Sequence, residues 1–262
     1  MISAPIAIGV GISISEFKKE GFHHKKITFK PGNLPGFFMN SVDEVVDLLR
    51  QKSNPAYLAG MKRFGIDSGK ALGIPLPELR KIAKGIKKDH ELALALWNTS
   101  LHEARILASL VDDPARVTEE QFDSWAADFY SWDLCDQVCG NLFDRTPFAI
   151  EKAIAYSARK EEFVKRAGFV LMAEYAVHHK KAGDEIFINF LQIIEREACD
   201  GRNFVKKAIN WALRQIGKRN AALCVHAIES ANRILVKECK AAKWIASDAL
   251  NELLRKASRT IN

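Results

Sequence analysis

Apolar residues recur at helical spacing along almost the whole chain from Ser41 onward, and no alternation typical of a strand persists for six residues. The interruptions between the helical segments are short, as at Gly73-Ile74-Pro75, Asp113-Pro114 and Thr146-Pro147. Helices joined by short loops pack as antiparallel neighbours. The sequence therefore predicts an all-α protein. The predicted helices cover residues 41–52, 54–64, 76–88, 90–97, 101–111, 118–130, 132–144, 147–158, 161–181, 184–198, 203–218, 220–229, 230–239 and 241–257.

An internal repeat refines this prediction. The segment Phe163-Val164-Lys165-Arg166-Ala167 recurs as Phe204-Val205-Lys206-Lys207-Ala208, a shift of 41 residues. This period is typical of HEAT-type helical pairs, which stack into a curved solenoid whose concave surface is lined by one helix of each pair. We therefore expect a HEAT-like α-solenoid of about six antiparallel pairs with a basic concave groove.

The first 40 residues differ from the rest of the chain. The stretch Met1–Ser15 is apolar, but it is interrupted by glycines and too short to span a membrane. It also lacks the leading positive charges of a secretory signal. We expect residues 1–40 to be a poorly ordered extension, or an over-long start with Met39 as the true initiator, and residues 41–262 to form one repeat domain.

The positive charge is concentrated in the last part of the chain. The formal net charge is +7, yet Arg202–Asn262 alone holds 13 Lys and Arg against 4 Asp and Glu, a net +9, so the remainder sums to −2. A basic segment on a near-neutral body indicates a surface for a polyanion. A solvated basic face with no partner is the alternative.

Five cysteines occur, at positions 135, 139, 199, 224 and 239, with no CxxC pair among them. An odd number of cysteines in apolar helical stretches is typical of reduced, buried thiols in a cytoplasmic protein. Further ligands at motif spacing are missing for zinc or an iron–sulfur cluster, so no metal site is expected. No phosphate-binding glycine loop occurs either, and we expect no cofactor.

One predicted helix carries an aromatic residue in a basic stripe. Val205, Ala208, Ile209, Ala212 and Ile216 form its apolar face. Lys207, Trp211, Arg214 and Lys218 fall within roughly 60° of each other on the opposite face. A tryptophan between cations suits an anion with flat rings, and nucleic acid is such a partner.

A second candidate site starts at Trp132. Trp132 and Asp136 share a helical face, and Ser131 is a plausible N-cap that would place both near the positive end of the helix dipole. A core tryptophan beside a surface carboxylate is the simpler interpretation. Arg166 argues against it, because an arginine in the apolar segment Phe163–Val177 needs a nearby carboxylate. Asp136 is the natural candidate, with Glu162 and Glu174 as local competitors and a purely structural pair as the alternative role.

Taken together, these motifs resemble a known family. The order Trp-Asp-x-x-Asp at Trp132–Asp136, Lys165-Arg166-Ala167, and Lys-Lys-Ala-Ile-x-Trp-x-Leu-Arg at Lys206–Arg214 is similar to that of the DNA alkylation repair (AlkD-like) glycosylases. Gly73-Ile74-Pro75 and Leu96-Trp97 ahead of Glu103-Ala104-Arg105 look like earlier segments of the same family, and the resemblance covers roughly Val42 to Ile261.

The resemblance implies a HEAT-like solenoid that cradles duplex DNA and excises positively charged N3- or N7-alkylpurines without needing to flip the base. The family's catalytic residues match Asp136, Arg166, Trp132 and Trp211. Cations around them are expected to hold phosphates. These are Lys165, Lys206, Lys207, Arg214, Lys218 and Arg219.

The expected partner is alkylated duplex DNA, bound by a cytoplasmic monomer that needs neither a membrane nor an obligate protein partner. Two alternatives stay open. One is a non-catalytic HEAT-like binder of damaged or structured nucleic acid. The other is a protein-binding helical scaffold, for which such solenoids are well suited.

Overall fold

The computed structural model of the protein describes residues 41–66 and 69–261, and no strand occurs in these ranges. The predicted extension, residues 1–40, lies outside the described residues. The helices are α1 (Val42–Gln51), α2 (Pro55–Met61), α3 (Leu76–Ile86), α4 (His90–Asn98), α5 (His102–Val111), α6 (Glu119–Ala127), α7 (Trp132–Asn141), α8 (Ala149–Ser157), α9 (Glu162–His178), α10 (Asp184–Glu197), α11 (Asn203–Gly217), α12 (Ala221–Leu235) and α13 (Lys240–Ile261). Short 3-10 turns follow α2 at Lys62–Phe64 and α7 at Phe143–Arg145.

The helices are arranged in two rows. The odd-numbered helices α3, α5, α7, α9, α11 and α13 pack one on the next, and α8, α10 and α12 form part of a second row that covers them. Even and odd helices also pair locally, as α4 with α5, α8 with α9 and α12 with α13. This arrangement confirms the predicted all-α array of helical pairs.

One predicted boundary is wrong. The sequence analysis divides residues 220–239 into two helices, whereas α12 runs unbroken over Ala221–Leu235. This segment contains neither glycine nor proline, and the buried Ser230 fits its inward face. Without a residue that disfavours helical geometry, the backbone hydrogen bonds continue.

The loop before α3 is held by a buried carboxylate. Glu103, on α5, accepts hydrogen bonds from the backbone N–H groups of Leu72, Gly73 and Ile74 at 2.7–3.2 Å. Gly73 has a φ of +74° and lies so close to α2 that an added Cβ would stand 2.3 Å from the Asn54 carbonyl oxygen. The Gly-Ile-Pro segment therefore needs glycine for both its backbone angle and its packing.

The central helix α9 is buried along most of its length, from Val164 to Ala173. At Gly168 the backbone of α8 approaches so closely that a Cβ would lie 2.5 Å from the Ser157 nitrogen. This contact, together with packing against α7 and α11, fixes α9 in the middle of the array. Any polar group on this helix must therefore find its partners among neighbouring helices.

None of the described helices combines the length and apolar character that would let it cross a membrane.

The expectation that all cysteines are reduced is wrong for one pair. Cys199, after α10, and Cys239, before α13, form a disulfide with a Cα–Cα distance of 5.6 Å. The other three cysteines, Cys135, Cys139 and Cys224, are buried thiols. Sequence spacing did not indicate the pair because its members lie 40 residues apart, about one repeat, and meet only when adjacent helical pairs stack.

Replacing both Cys199 and Cys239 by serine should lower the free energy of unfolding by up to about 4 kcal/mol, the value expected for a loop of 40 residues. Thermal or urea denaturation of the oxidised protein measures the loss, and reductant should reproduce it in the wild type. The double variant itself should no longer respond to reductant, whereas the matched control Cys224→Ser keeps the disulfide and should lose stability in reductant as the wild type does. Equal stability of the wild type with and without reductant would contradict the prediction.

Candidate functional site

The Asp136 carboxylate and the Arg166 guanidinium form a bidentate ion pair. Arg166 Nε donates to Asp136 Oδ1 at 2.9 Å, and Arg166 Nη2 donates to Oδ2 at 2.8 Å. The Arg166 side chain is 7% exposed and that of Asp136 14%. This geometry confirms Asp136 as the partner of Arg166, rather than Glu162 or Glu174. Two parallel hydrogen bonds fix the orientation of the carboxylate as well as its charge.

Arg166 also reaches a third helix. Its Nη1 donates to the backbone carbonyl oxygen of Phe204, in the first turn of α11, at 2.5 Å. The ring of Phe204 in turn lies 5.5 Å from that of Phe163 on α9. One guanidinium thus connects α7, α9 and α11 at the point where their candidate site residues lie.

Burial raises the pKa of the Asp136 carboxyl above its ordinary value, while the charge and hydrogen bonds of Arg166 oppose that shift. Without the guanidinium, a carboxylate at this position would be strongly disfavoured. Arg166 is therefore the group that allows a negative charge to be kept in a nearly dry position.

Trp132 lies at the start of α7 and is held by a segment distant in sequence. Its indole Nε1 donates to the backbone carbonyl oxygen of Phe64 at 2.9 Å. The next residue, Gly65, has a φ of +74°, and an added Cβ would stand 3.1 Å from the Phe204 ring. The turn after α2 therefore contacts both Trp132 and the residue whose carbonyl binds Arg166. The sequence did not predict the bond from Trp132 to the Phe64 carbonyl oxygen.

Asp133 stabilises the start of α7. Ser131 occupies the N-cap position as expected, but its hydroxyl donates to Asp133 Oδ1 at 2.7 Å and makes no capping bond to the helix backbone. Asp133 Oδ2 lies 3.0 Å from Nε2 of His102, whose Nδ1 is 2.8 Å from the Tyr130 hydroxyl. Burial favours a higher pKa for Asp133, but the bonds from His102 and Ser131 outweigh it and lower the pKa.

A cavity of about 460 Å³ opens beside Trp132. Its walls come from α2, α3, α5 and α7, and include the exposed aromatic side chains of Tyr57 and Phe64. Asp133, Gln137 and His102 supply polar groups, and among the described residues no lysine or arginine lines the cavity. Trp132, four residues before Asp136 on α7, therefore borders an apolar recess.

Trp211 lies on α11 and packs partly against the core while keeping some solvent exposure. Within the described residues, no ring contact joins it to Trp132, and no hydrogen bond joins it to Asp136 or Arg166. Its position relative to the pair is set by the packing of α11 on α9. The structure thus brings Asp136, Arg166 and Trp132 together through adjoining contacts and places Trp211 on the neighbouring helix.

Two of the expected phosphate-binding cations are engaged inside the protein. Lys165 is buried and its Nζ lies 2.7 Å from Glu197 and 3.1 Å from Asp200. Arg219 donates to the carbonyl oxygens of Ala176 and His179, and its guanidinium lies 3.9 Å from the centre of the Phe187 ring. The two carboxylates neutralise the charge of Lys165, and the backbone carbonyls use the hydrogen-bond donors of Arg219. Neither residue therefore belongs to an exposed phosphate-binding surface.

The remaining cations differ in their partners. Arg214 and Lys218 both bind Glu252 of α13, at 2.5 and 2.8 Å, and each stays 29% exposed. Lys206 lies with its Nζ 5.2 Å from the centre of the Trp244 ring. Lys207 is exposed, and no ion pair forms with it in the described part of the chain. The α11 stripe, defined as Lys207, Trp211, Arg214 and Lys218, is therefore only partly neutralised.

Glu174 is a carboxyl group close to the pair. It lies on α9 against Gly140, where an added Cβ would stand 2.6 Å from its Oε1. Its Oε2 is 3.7 Å from Nε2 of His178, whose Nδ1 is 2.5 Å from the buried Asp144. Burial raises the pKa of Glu174 to about 7, with Asp144 and Asp136 adding to the shift and His178 and Arg145 opposing it.

In the described residues, no three His, Cys, Asp or Glu side chains converge in a way that could hold a metal ion.

The chain is similar to known proteins in both sequence and fold. The family model described as DNA alkylation repair enzyme matches residues 45–259, which is most of the chain and includes every candidate site residue. The chain belongs to this DNA alkylation repair family.

A solved structure supports the same fold. It is described as "A new family of proteins related to the HEAT-like repeat DNA glycosylases with affinity for branched DNA structures". The match has a TM-score of 0.66 and 21% sequence identity, and it covers 79% of this chain and 93% of that one. At this identity the likeness shows the HEAT-like fold, and it does not transfer an activity. No curated protein matches the chain.

The raised pKa of Glu174 predicts how the stability of this family member depends on pH. The folded state binds a proton at Glu174 up to about pH 7, whereas the ordinary carboxyl value is 4.5. The free energy of unfolding should therefore fall as pH rises from about 4.5 to 7. Glu174→Gln keeps the shape of the side chain without the titration, so this contribution should disappear. Urea denaturation of both proteins across this range measures the difference, and parallel pH profiles would refute the prediction.

Proposed function

We propose that this protein is a DNA glycosylase that excises positively charged N3- or N7-alkylated purines from duplex DNA in base-excision repair, without needing to flip the base. The observation that carries the proposal is the Asp136 carboxylate, which Arg166 fixes through two hydrogen bonds next to the tryptophan that begins α7. Membership of the DNA alkylation repair family supports the choice of DNA as the partner.

The proposed chemistry suits a fixed carboxylate. An alkylated purine is already a cation, so the bond from its nitrogen to the sugar can break without a general acid, and both bonding electrons leave with the base. Positive charge then develops on the deoxyribose, where the Asp136 carboxylate stabilises it. Water adds to the sugar carbon and loses a proton to solvent. Because Asp136 is largely desolvated, its charge acts more strongly than it would in water.

The other residues of the site have supporting roles in this proposal. Trp132 and Trp211 present π-faces that attract positive charge and pack against the sugar–phosphate backbone. Arg166 holds the carboxylate in place, since its donors go to Asp136 and to the Phe204 carbonyl. Lys206, Lys207, Arg214 and Lys218 supply the phosphate-binding surface. A single copy of the chain is sufficient, and a cytoplasmic location remains a prediction.

Asp136→Asn should abolish release of 7-methylguanine and 3-methyladenine from N-methylated duplex DNA, because the amide keeps the size of the side chain but not its charge. Binding to the same duplex should change by less than about threefold, since Asp136 repels phosphates rather than holding them. Chromatography of the released bases and a binding titration give the two readouts. Asp43→Asn, an exposed change on α1, is the control. Undiminished release by Asp136→Asn would refute the mechanism.

Lys207→Gln should weaken duplex binding and reduce the slope of log affinity against log salt by about one, the value for one phosphate contact. Lys207 is chosen because it is exposed and lies on the α11 stripe. Lys181→Gln removes an equally exposed charge between α9 and α10 and should leave the slope unchanged. Equal slopes for the wild type and Lys207→Gln would remove the stripe from the proposed interface.

The second candidate function is a non-catalytic binder of structured DNA. The likeness to a protein described as having affinity for branched DNA favours it. In that case the buried Asp136–Arg166 pair serves only to join α7 and α9. Salt-sensitive DNA binding without base release from either the wild type or Asp136→Asn would support this alternative.

A further inference from the structure

Trp244 is exposed in a way that the fold does not require. It lies in the second turn of α13, its side chain is 40% exposed, and within the described residues no other aromatic ring packs against it. By contrast, Trp97 and Trp125 are 3% exposed and stack on each other at 4.0 Å. A large indole open to solvent loses the free energy that burial would give and is typical of a binding surface.

A lysine lies over this indole. The Nζ of Lys206, on α11, is 5.2 Å from the centre of the Trp244 ring, within the range of a cation–π contact. Lys206 forms no ion pair in the described part of the chain, so its charge is available to a ligand that approaches the ring. An anion with an aromatic group would meet both features at once.

The charges around Trp244 differ from those elsewhere in the basic C-terminal part. Three arginines there bind acidic side chains: Arg202 binds Asp200, Arg214 binds Glu252 and Arg233 binds Glu195. Four lysines at the starts of the two helices that meet at Trp244 have no ion-pair partner among the described residues. They are Lys206 and Lys207 at the start of α11 and Lys240 and Lys243 at the start of α13. Unpaired cations therefore lie on both of the helices that meet at the exposed indole.

This surface continues from the α11 stripe. The Asn210 side-chain amide donates to the Ile245 carbonyl oxygen at 3.1 Å, and Arg214 binds Glu252 farther along α13. These contacts set α13 beside α11, with Trp244 next to the first turns of α11. The disulfide at Cys239 fixes the residue that precedes α13. The indole is thus held on a constrained element, which reduces the entropy lost on binding.

We propose that Trp244 and the lysines Lys206, Lys207, Lys240 and Lys243 form a second DNA-binding site, which stacks an unpaired base next to the duplex on the α11 stripe. Inside a duplex each base is paired and covered by its neighbours, so we expect the indole to stack on an unpaired base, as at a gap or in a single-stranded tail. Base–aromatic stacking with phosphate contacts from lysine is the general means of binding such nucleotides. The site rests on DNA as the partner in the proposed function but does not require catalysis.

The test compares a blunt duplex with the same duplex carrying a tail of three thymidines, both titrated with the full-length protein. The wild type should bind the tailed duplex about tenfold more tightly than the blunt one, a typical gain for one stacked base. Trp244→Ala should lose this gain and retain its affinity for the blunt duplex. Trp244→Tyr should keep most of the gain, whereas Leu254→Ala, a 51% exposed change farther along α13, should keep all of it.

A tail of three abasic sites separates stacking from charge. It carries the same phosphates without bases, so the wild type should gain clearly less from it than from the thymidine tail, because only the lysine contacts remain. Three outcomes would overturn the proposal: no gain from the thymidine tail in the wild type, the same gain in Trp244→Ala, or an equal gain from the abasic tail. The last outcome would assign the lysines to backbone binding alone.

Excision by wild type and Trp244→Ala on methylated blunt duplex distinguishes this proposal from the proposed glycosylase activity. Loss of the tail effect with normal base release would overturn only the second site. Absence of base release with the tail effect retained would overturn only the glycosylase proposal and leave the stacking site in place.

Discussion

The arrangement of the candidate site depends on one buried guanidinium. Arg166 lies in the buried stretch of α9, where an unpaired charge would cost several kcal/mol. It avoids this cost by binding the carboxylate of Asp136 on α7 and the carbonyl oxygen of Phe204 on α11. These bonds require the three helices to keep one relative position. The carboxylate that we propose for catalysis is thus placed by the same interaction that satisfies the arginine.

The cations of the chain divide into two groups that the net charge of +7 does not distinguish. One group is structural: Lys165 binds two carboxylates, and Arg219 binds backbone carbonyls and an aromatic ring. The other group, at the starts of α11 and α13, includes Lys207 and Lys243, which have no ion-pair partner in the described residues. This second group leaves its charge available to a polyanion, and Arg214 and Lys218, which share the single carboxylate of Glu252, do so in part. The DNA-binding surface that we propose therefore excludes Lys165 and Arg219, which the sequence predicted to hold phosphates.

The sequence predicted best those features that depend on residues close together in the chain. Helical periodicity and short loops are local, and they located nearly all helices, with α12 as the exception because no residue marks the break that was expected there. The pairing of Arg166 with Asp136 was also predictable, since an arginine among apolar residues must have a carboxylate nearby. The bond from Trp132 to the Phe64 carbonyl was not, because backbone acceptors are present at every residue and carry no sequence signal. The Cys199–Cys239 bond was missed for a similar reason, since spacing does not show which thiols meet.

By itself, the amino-acid sequence determined the all-α class, the repeat of about 41 residues, and the residue types that carry charge and aromatic surface. These properties depend on neighbours within a few turns of helix. The tertiary structure decided which charged side chains are paired within the protein and which remain available to a partner. Lys165 and Lys206 occupy equivalent positions in the repeat, yet one is buried between two acids and the other lies over an exposed indole. The difference arises because electrostatic partners are selected by packing between helices, and a side chain's own sequence neighbours do not specify that packing.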